Sequence, residues 1–125
     1  MQDENLPLLN SSELTAYLNR AEIVRQTAEQ LIKDFAMAGF EISFSGNEVT
    51  AYNQLFAQVK KLIDDLIKNN YEKLMHLLYR IDVSEKKMNE AKKETDETFS
   101  ESLARLIIYR ELQKVVVRNY FKRNV

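Results

Sequence analysis

A chain of 125 residues with net charge −1, 45 % hydrophobic and 30 % charged side chains has the size of one domain with a real core. Zero cysteines exclude disulfides, thiolate metal sites and thiol nucleophiles, while 2 glycines and 1 proline are too few turn residues for a many-stranded β fold. No apolar run reaches the roughly 18–20 residues that span a bilayer, and the opening residues lack a basic stretch followed by an apolar one, so the expected setting is cytoplasmic.

Residues 1–9 read as a loose lead-in. Asn10 and Glu13 have the spacing of a capping box, which predicts a first helix from about Ser11 to Ala38. Its apolar positions, Leu14, Tyr17, Ala21, Val24, Ala28, Leu31 and Phe35, follow a heptad-like spacing. Gly39 stands where a helix ends on a left-handed residue. Phe40, Ile42 and Phe44 then alternate with Glu41, Ser43 and Ser45. With no partner strand in the sequence, this reads as an extended connection whose aromatic residues cover one end of a bundle. The sharper alternative is an edge open to strand addition by a partner. Ser45-Gly46-Asn47 makes the turn, with Asn47 or Ser45 as the next cap.

Apolar residues keep one helical phase from Tyr52 through Leu55, Val59, Ile63, Leu66, Leu74 and Leu77 to Ile81, across Asn69-Asn70. The spacing predicts a single helix over Val49–Ile81, roughly 45–50 Å long at 1.5 Å per residue. On its polar side Lys60/Asp64, Lys61/Asp65 and Asp64/Lys68 are i,i+4 pairs that mark a solvated face. Asp82 and Glu85 again have capping-box spacing, so a kink and restart are expected near Val83. Residues 84–98 offer Met88 as their one large aliphatic side chain, which suggests a short helix followed by a mobile connection. A last helix from about Thr98 to Phe121 is apolar around most of its girth and should be the most buried element. The fold class is therefore all-α: an antiparallel bundle of three long helices, with a short fourth helix between the second and third.

Chemistry is sparse. His76 is the sole histidine, no nucleophile or orienting carboxylate stands near it in sequence, and it falls at the edge of the polar side. There is no second metal-binding imidazole and no glycine-rich phosphate loop, so no cofactor, metal or enzymatic activity is expected. Tyr79, Arg80 and Asp82 place an aromatic, a guanidinium and a carboxylate at the kink, the composition of an interaction hot spot. The plainer reading has Arg80 paired with an acidic neighbour and Asp82 capping the next turn. Arg110, Lys114, Arg118 and Lys122 form a basic row at i+4 spacing on the last helix, with Glu111 beside it. That row could bind a polyanion, but the near-zero net charge argues against nucleic acid. A solvated face explains it with fewer assumptions, and changing Arg110, Lys114 and Arg118 to Gln should leave the fold intact.

The stretch Leu77–Glu85, together with the Phe40–Asn47 connection, resembles a family of small bacterial helical proteins of unknown function. The resemblance implies an intracellular bacterial protein and carries over no catalytic residue. The expected function is a non-enzymatic protein-interaction or scaffold module with an unidentified protein partner and no membrane. A homo-oligomer, most simply a homodimer, would cover the surplus apolar girth of the last helix. The alternative is nucleic-acid or polyanion binding through the basic row.

Overall fold

The computed structural model describes residues 21–93 and 96–123; the Asn10/Glu13 cap and residues 11–20 of the first expected helix lie outside the described residues. Helix α1 (Ala21–Met37) buries Val24, Ala28, Leu31 and Phe35, the stripe expected from its heptad-like spacing. It ends in a Schellman motif: Gly39 N–H donates to Ala36 O at 3.0 Å and Phe40 N–H to Phe35 O at 2.8 Å. Gly39 takes φ +92° there, a region that a Cβ disfavours.

Residues 40–45 form neither helix nor strand, and Ile42 is buried while Phe40 and Phe44 pack against the core. Two glutamines one turn apart on the following helix hold this segment. Gln58 accepts from Ser43 N–H at 2.9 Å and donates to Ser43 O at 2.8 Å, while Gln54 accepts from Ser45 N–H at 3.0 Å. Their amides do for alternate backbone groups what a neighbouring strand would do. Asn47 then caps the 3-10 turn Glu48–Thr50 by accepting from Val49 N–H at 2.9 Å.

The continuous helix expected over Val49–Ile81 is broken. Helix α2 (Ala51–Asn69) stops at Asn70, whose φ −161° and ψ 77° leave the helical region, and α3 (Tyr71–Ile81) begins beyond it. The cause is local. Asn70 N–H still donates to Leu66 O at 2.8 Å, while its side chain turns to accept from Lys73 N–H at 3.1 Å as an N-cap. One residue leaves the helix, so the apolar phase survives the break and conceals it. Asn70 is exposed.

A second Schellman motif closes α3: Asp82 N–H donates to Tyr79 O at 3.1 Å and Val83 N–H to Leu78 O at 2.9 Å. Asp82 occupies the left-handed position (φ 70°). It therefore ends one helix and does not cap the next; Ser84 does that, accepting from Lys87 N–H at 3.1 Å. Helix α4 (Glu85–Lys92) buries Met88 and Ala91 and packs against the last helix. Residues 94 and 95, in the connection expected to be mobile, lie outside the described residues.

Helix α5 (Phe99–Arg123) starts from a reciprocal capping box: Thr98 Oγ1 accepts from Glu101 N–H at 3.2 Å, and Glu101 Oε1 accepts from Thr98 N–H at 2.8 Å. Glu97, just before it, pairs with Arg105 and accepts from Ser102 Oγ. Helix α5 packs against each of the other four described α-helices and carries the buried Leu103, Ala104, Ile107, Ile108, Leu112, Val115 and Val116. It is the hub of the described helices. Four neighbours also absorb the girth that suggested self-association, leaving Tyr120 and Phe121 partly exposed at its end. Among the described residues the fold is all-α, with five α-helices where three long and one short were expected.

Candidate functional site

Two places carry polar or exposed groups that packing alone does not explain. The first is the elbow between α3 and α4. Left-handed Asp82 turns the chain sharply, and the turn opens a cleft of about 260 Å³ lined by Met75, Leu78, Tyr79, Val83 and Met88, with Asp82, Ser84 and Glu85 at the polar side. Tyr79 is 88 % exposed, so an aromatic side chain stands almost wholly in water beside an apolar depression. Of the three expected interaction residues, Tyr79 and Asp82 meet here. Arg80 does not; its Nη1 lies 3.6 Å from Met37 Sδ. Asp82 is tied to α5, where Arg110 reaches its carboxylate at 2.8 Å and its carbonyl at 3.2 Å.

The second place is the seam between α1 and α5, which the sequence did not single out. Lys114 Nζ lies 2.8 Å from Asp34 Oδ2 and 3.1 Å from Glu111 Oε1. Gln30 donates to Asp34 Oδ1 at 3.2 Å and accepts from Arg118 at 2.8 Å. One turn further, Asn119 donates to Gln26 at 2.8 Å. Glu111 is fully buried, and neither of its oxygens accepts a hydrogen bond, the Lys114 contact being off-angle. Burial, then the neighbouring Asp34 carboxyl, pushes Glu111 up to about 8, against the pull of Lys114. Burial also pushes Asp34 up, but the Glu111 carboxyl, the Lys114 ammonium and Gln30 outweigh it and leave Asp34 below its ordinary value. At neutral pH the pair thus holds a proton on Glu111 and a charge on Asp34.

This geometry changes the reading of the basic row. Glu111 is not beside an exposed row but inside the protein, and three of the four bases have partners: Arg110 has Asp82, Lys114 has Asp34, and Arg118 has Gln30. Lys122 is exposed at the end of α5. His76 is exposed as well. Among the described residues no cluster of three or more His, Asp or Glu could hold a metal ion, and no helix is long and apolar enough to cross a membrane.

A signal for the seam did exist. Asp34 falls at i+3 from Leu31 and one residue before Phe35, and Glu111 at i+3 from Ile108 and one residue before Leu112. Each acid therefore interrupts an apolar stripe, which helical phase alone can show. No family model matches this chain, and neither a curated protein nor a solved structure matches it.

Proposed function

We propose that this protein is a non-enzymatic protein-interaction module that docks a partner in the cleft at the α3–α4 elbow. One observation carries the reading: Tyr79, 88 % exposed, on the edge of an apolar cleft walled by Met75 and Met88. Methionine walls adapt to different side chains, and an exposed tyrosine offers a large contact at low ordering cost. The lining carries the carboxylate of Glu85 and that of Asp82, the latter already closed on Arg110, and no basic group. The occupant that fits is a partner segment presenting an apolar side chain flanked by lysine or arginine. The resemblance to small bacterial helical proteins and a cytoplasmic setting belong to the same proposal.

Polyanion binding through the basic row is the weaker reading, because internal partners already engage Arg110, Lys114 and Arg118. Homodimerisation is a weaker reading as well, because neighbouring helices cover most of α5 and leave Tyr120 and Phe121 as its exposed apolar residues among those described. Affinity capture from native cells with the wild-type chain, Tyr79→Ala, Glu85→Lys and the distant control Lys61→Glu tests the proposal. A partner held by wild type and Lys61→Glu but lost with the two cleft variants is expected. The same partners on all four proteins, or nucleic acid released steeply by salt, would overturn it.

A further inference from the structure

We infer that Asp34, Glu111 and Lys114 form a one-proton latch across the α1–α5 seam: the seam stays closed while one proton is held between the two carboxyls, and its loss loosens α1 from α5. The count of charges and donors leads there. Two carboxyls face a single ammonium: Lys114 Nζ and Gln30 Nε2 donate to Asp34 at 2.8 and 3.2 Å, while the same Nζ lies 3.1 Å from Glu111 Oε1 as an ion pair without a hydrogen bond. Glu111, completely buried, is left without a hydrogen-bond donor on either oxygen. Desolvated carboxylates without donors are costly, and two side by side more so. A proton on Glu111 resolves both faults, because it removes one charge and supplies the missing hydrogen bond toward Asp34.

The latch sits where opening would have consequences. Gln30, which steadies Asp34, also accepts from Arg118, and one turn on Asn119 donates to Gln26 as a separate contact, so two sets of polar contacts follow one another along the α1–α5 seam. Other titratable groups facing α5 are engaged elsewhere. From α2, Tyr52 is set against Arg105 and Tyr109; from the α3–α4 elbow, Asp82 is closed on Arg110; from α4, Lys92 lies over the Phe99 ring at 5.7 Å. The groups acting on Glu111 are Asp34 from α1 and Lys114 from its own helix.

Amide hydrogen exchange on the full chain between pH 6 and 9, corrected for the intrinsic rate, tests the latch. In the wild type, protection of α1 should fall about tenfold or more relative to α2 across pH 7–9, the change that a shift of one pH unit in the linked proton gives. In Glu111→Gln it should stay flat. Protection of α1 that is flat in the wild type, or falls equally in the variant, overturns the inference. Should that variant fail to fold, the wild-type protein still decides through carboxyl carbon resonances: Glu111 should titrate far above the exposed glutamates, and titration together with them would refute the latch. Asp34→Asn should lower the Glu111 midpoint toward theirs, because one ammonium then serves one carboxyl; an unmoved midpoint would count against it.

Discussion

Lys114→Gln removes the cation that lies against both Asp34 and Glu111 and, against the expectation from a solvated row, should cost the fold dearly at neutral pH. Lys114 is 19 % exposed in its side chain and Asp34 9 %, so water cannot take over the role of the ammonium. Breaking a buried ion pair from one side commonly costs about 3–5 kcal/mol. Here the loss has a ceiling, because Asp34 can take up a proton instead of remaining charged. At pH 7, protonating a group whose ordinary value is 3.8 costs about 4.4 kcal/mol at 1.36 kcal/mol per pH unit. Gln30 still donates to Asp34, so the expected loss is about 2–4 kcal/mol at pH 7. The sign with pH follows from Asp34, whose value lies below 3.8 in the fold. Its stabilisation is present above 3.8 and disappears as pH falls through the folded value. The difference between variant and wild type should therefore shrink toward pH 4. Urea unfolding at pH 7 and pH 4.5 measures it, with Lys60→Gln as a control at the exposed Lys60–Asp64 pair. A Lys114→Gln loss at pH 7 no larger than that of the control, or one equal at both pH values, would refute this account of the seam.

Two further outcomes follow from the same contacts. Glu111→Met should stabilise the protein increasingly as pH rises from 5 to 8: the wild type's raised group loses stability from 4.5 up to about 8, with a ceiling of about 4.8 kcal/mol at 1.36 kcal/mol per pH unit. About half of that is expected once packing changes are allowed for, read from urea midpoints at pH 5 and 8. The pair Gln54→Ala and Gln58→Ala should cost about 1–2 kcal/mol together and strip exchange protection from the Ser43 and Ser45 amides, leaving α1 amides unchanged.

Much of the helical content was legible because apolar spacing encodes which face is buried, and the buried face decides the helix. Val24, Ala28, Leu31 and Phe35 were readable for that reason, and so was the termination at Gly39. Apolar phase does not report on a single residue leaving the helix, which is why an unbroken helix was expected across Asn69-Asn70. The Asp82–Glu85 spacing misled, since Asp82 serves as a left-handed terminator and Ser84, inside the supposed box, is the true cap. For the basic row, i+4 spacing showed that the bases share a helix face but not what the face meets. That depended on α1 lying across it with Asp34 and Gln30, a tertiary fact no local pattern carries. Tyr79 stands at the elbow where a kink was expected, while its exposure and the cleft beside it required the Asp82 turn.

The break at Asn70 permits a sharper test, because two physical effects oppose each other there. Asn70→Ala replaces a poor interior helix former with the best one, a gain of up to about 0.7 kcal/mol if α2 and α3 fuse into one helix. It also removes the side-chain oxygen that accepts from Lys73 N–H, a loss of about 1 kcal/mol for a typical N-cap. Packing decides between them. Fusion would swing α3 as a rigid body and draw Leu74, Leu77, Leu78 and Ile81, each at most 3 % exposed, out of the core they share with α1 and α5. Losing even one such side chain costs about 2–5 kcal/mol, more than helix propensity can return. The variant should therefore keep its break and be destabilised by about 1 kcal/mol. Backbone chemical shifts at residue 70 should remain outside the helical range, and urea unfolding should give the loss. A variant more stable than the wild type, with helical shifts running unbroken from Leu66 to Leu74, would show that the cap and not the core imposes the bend.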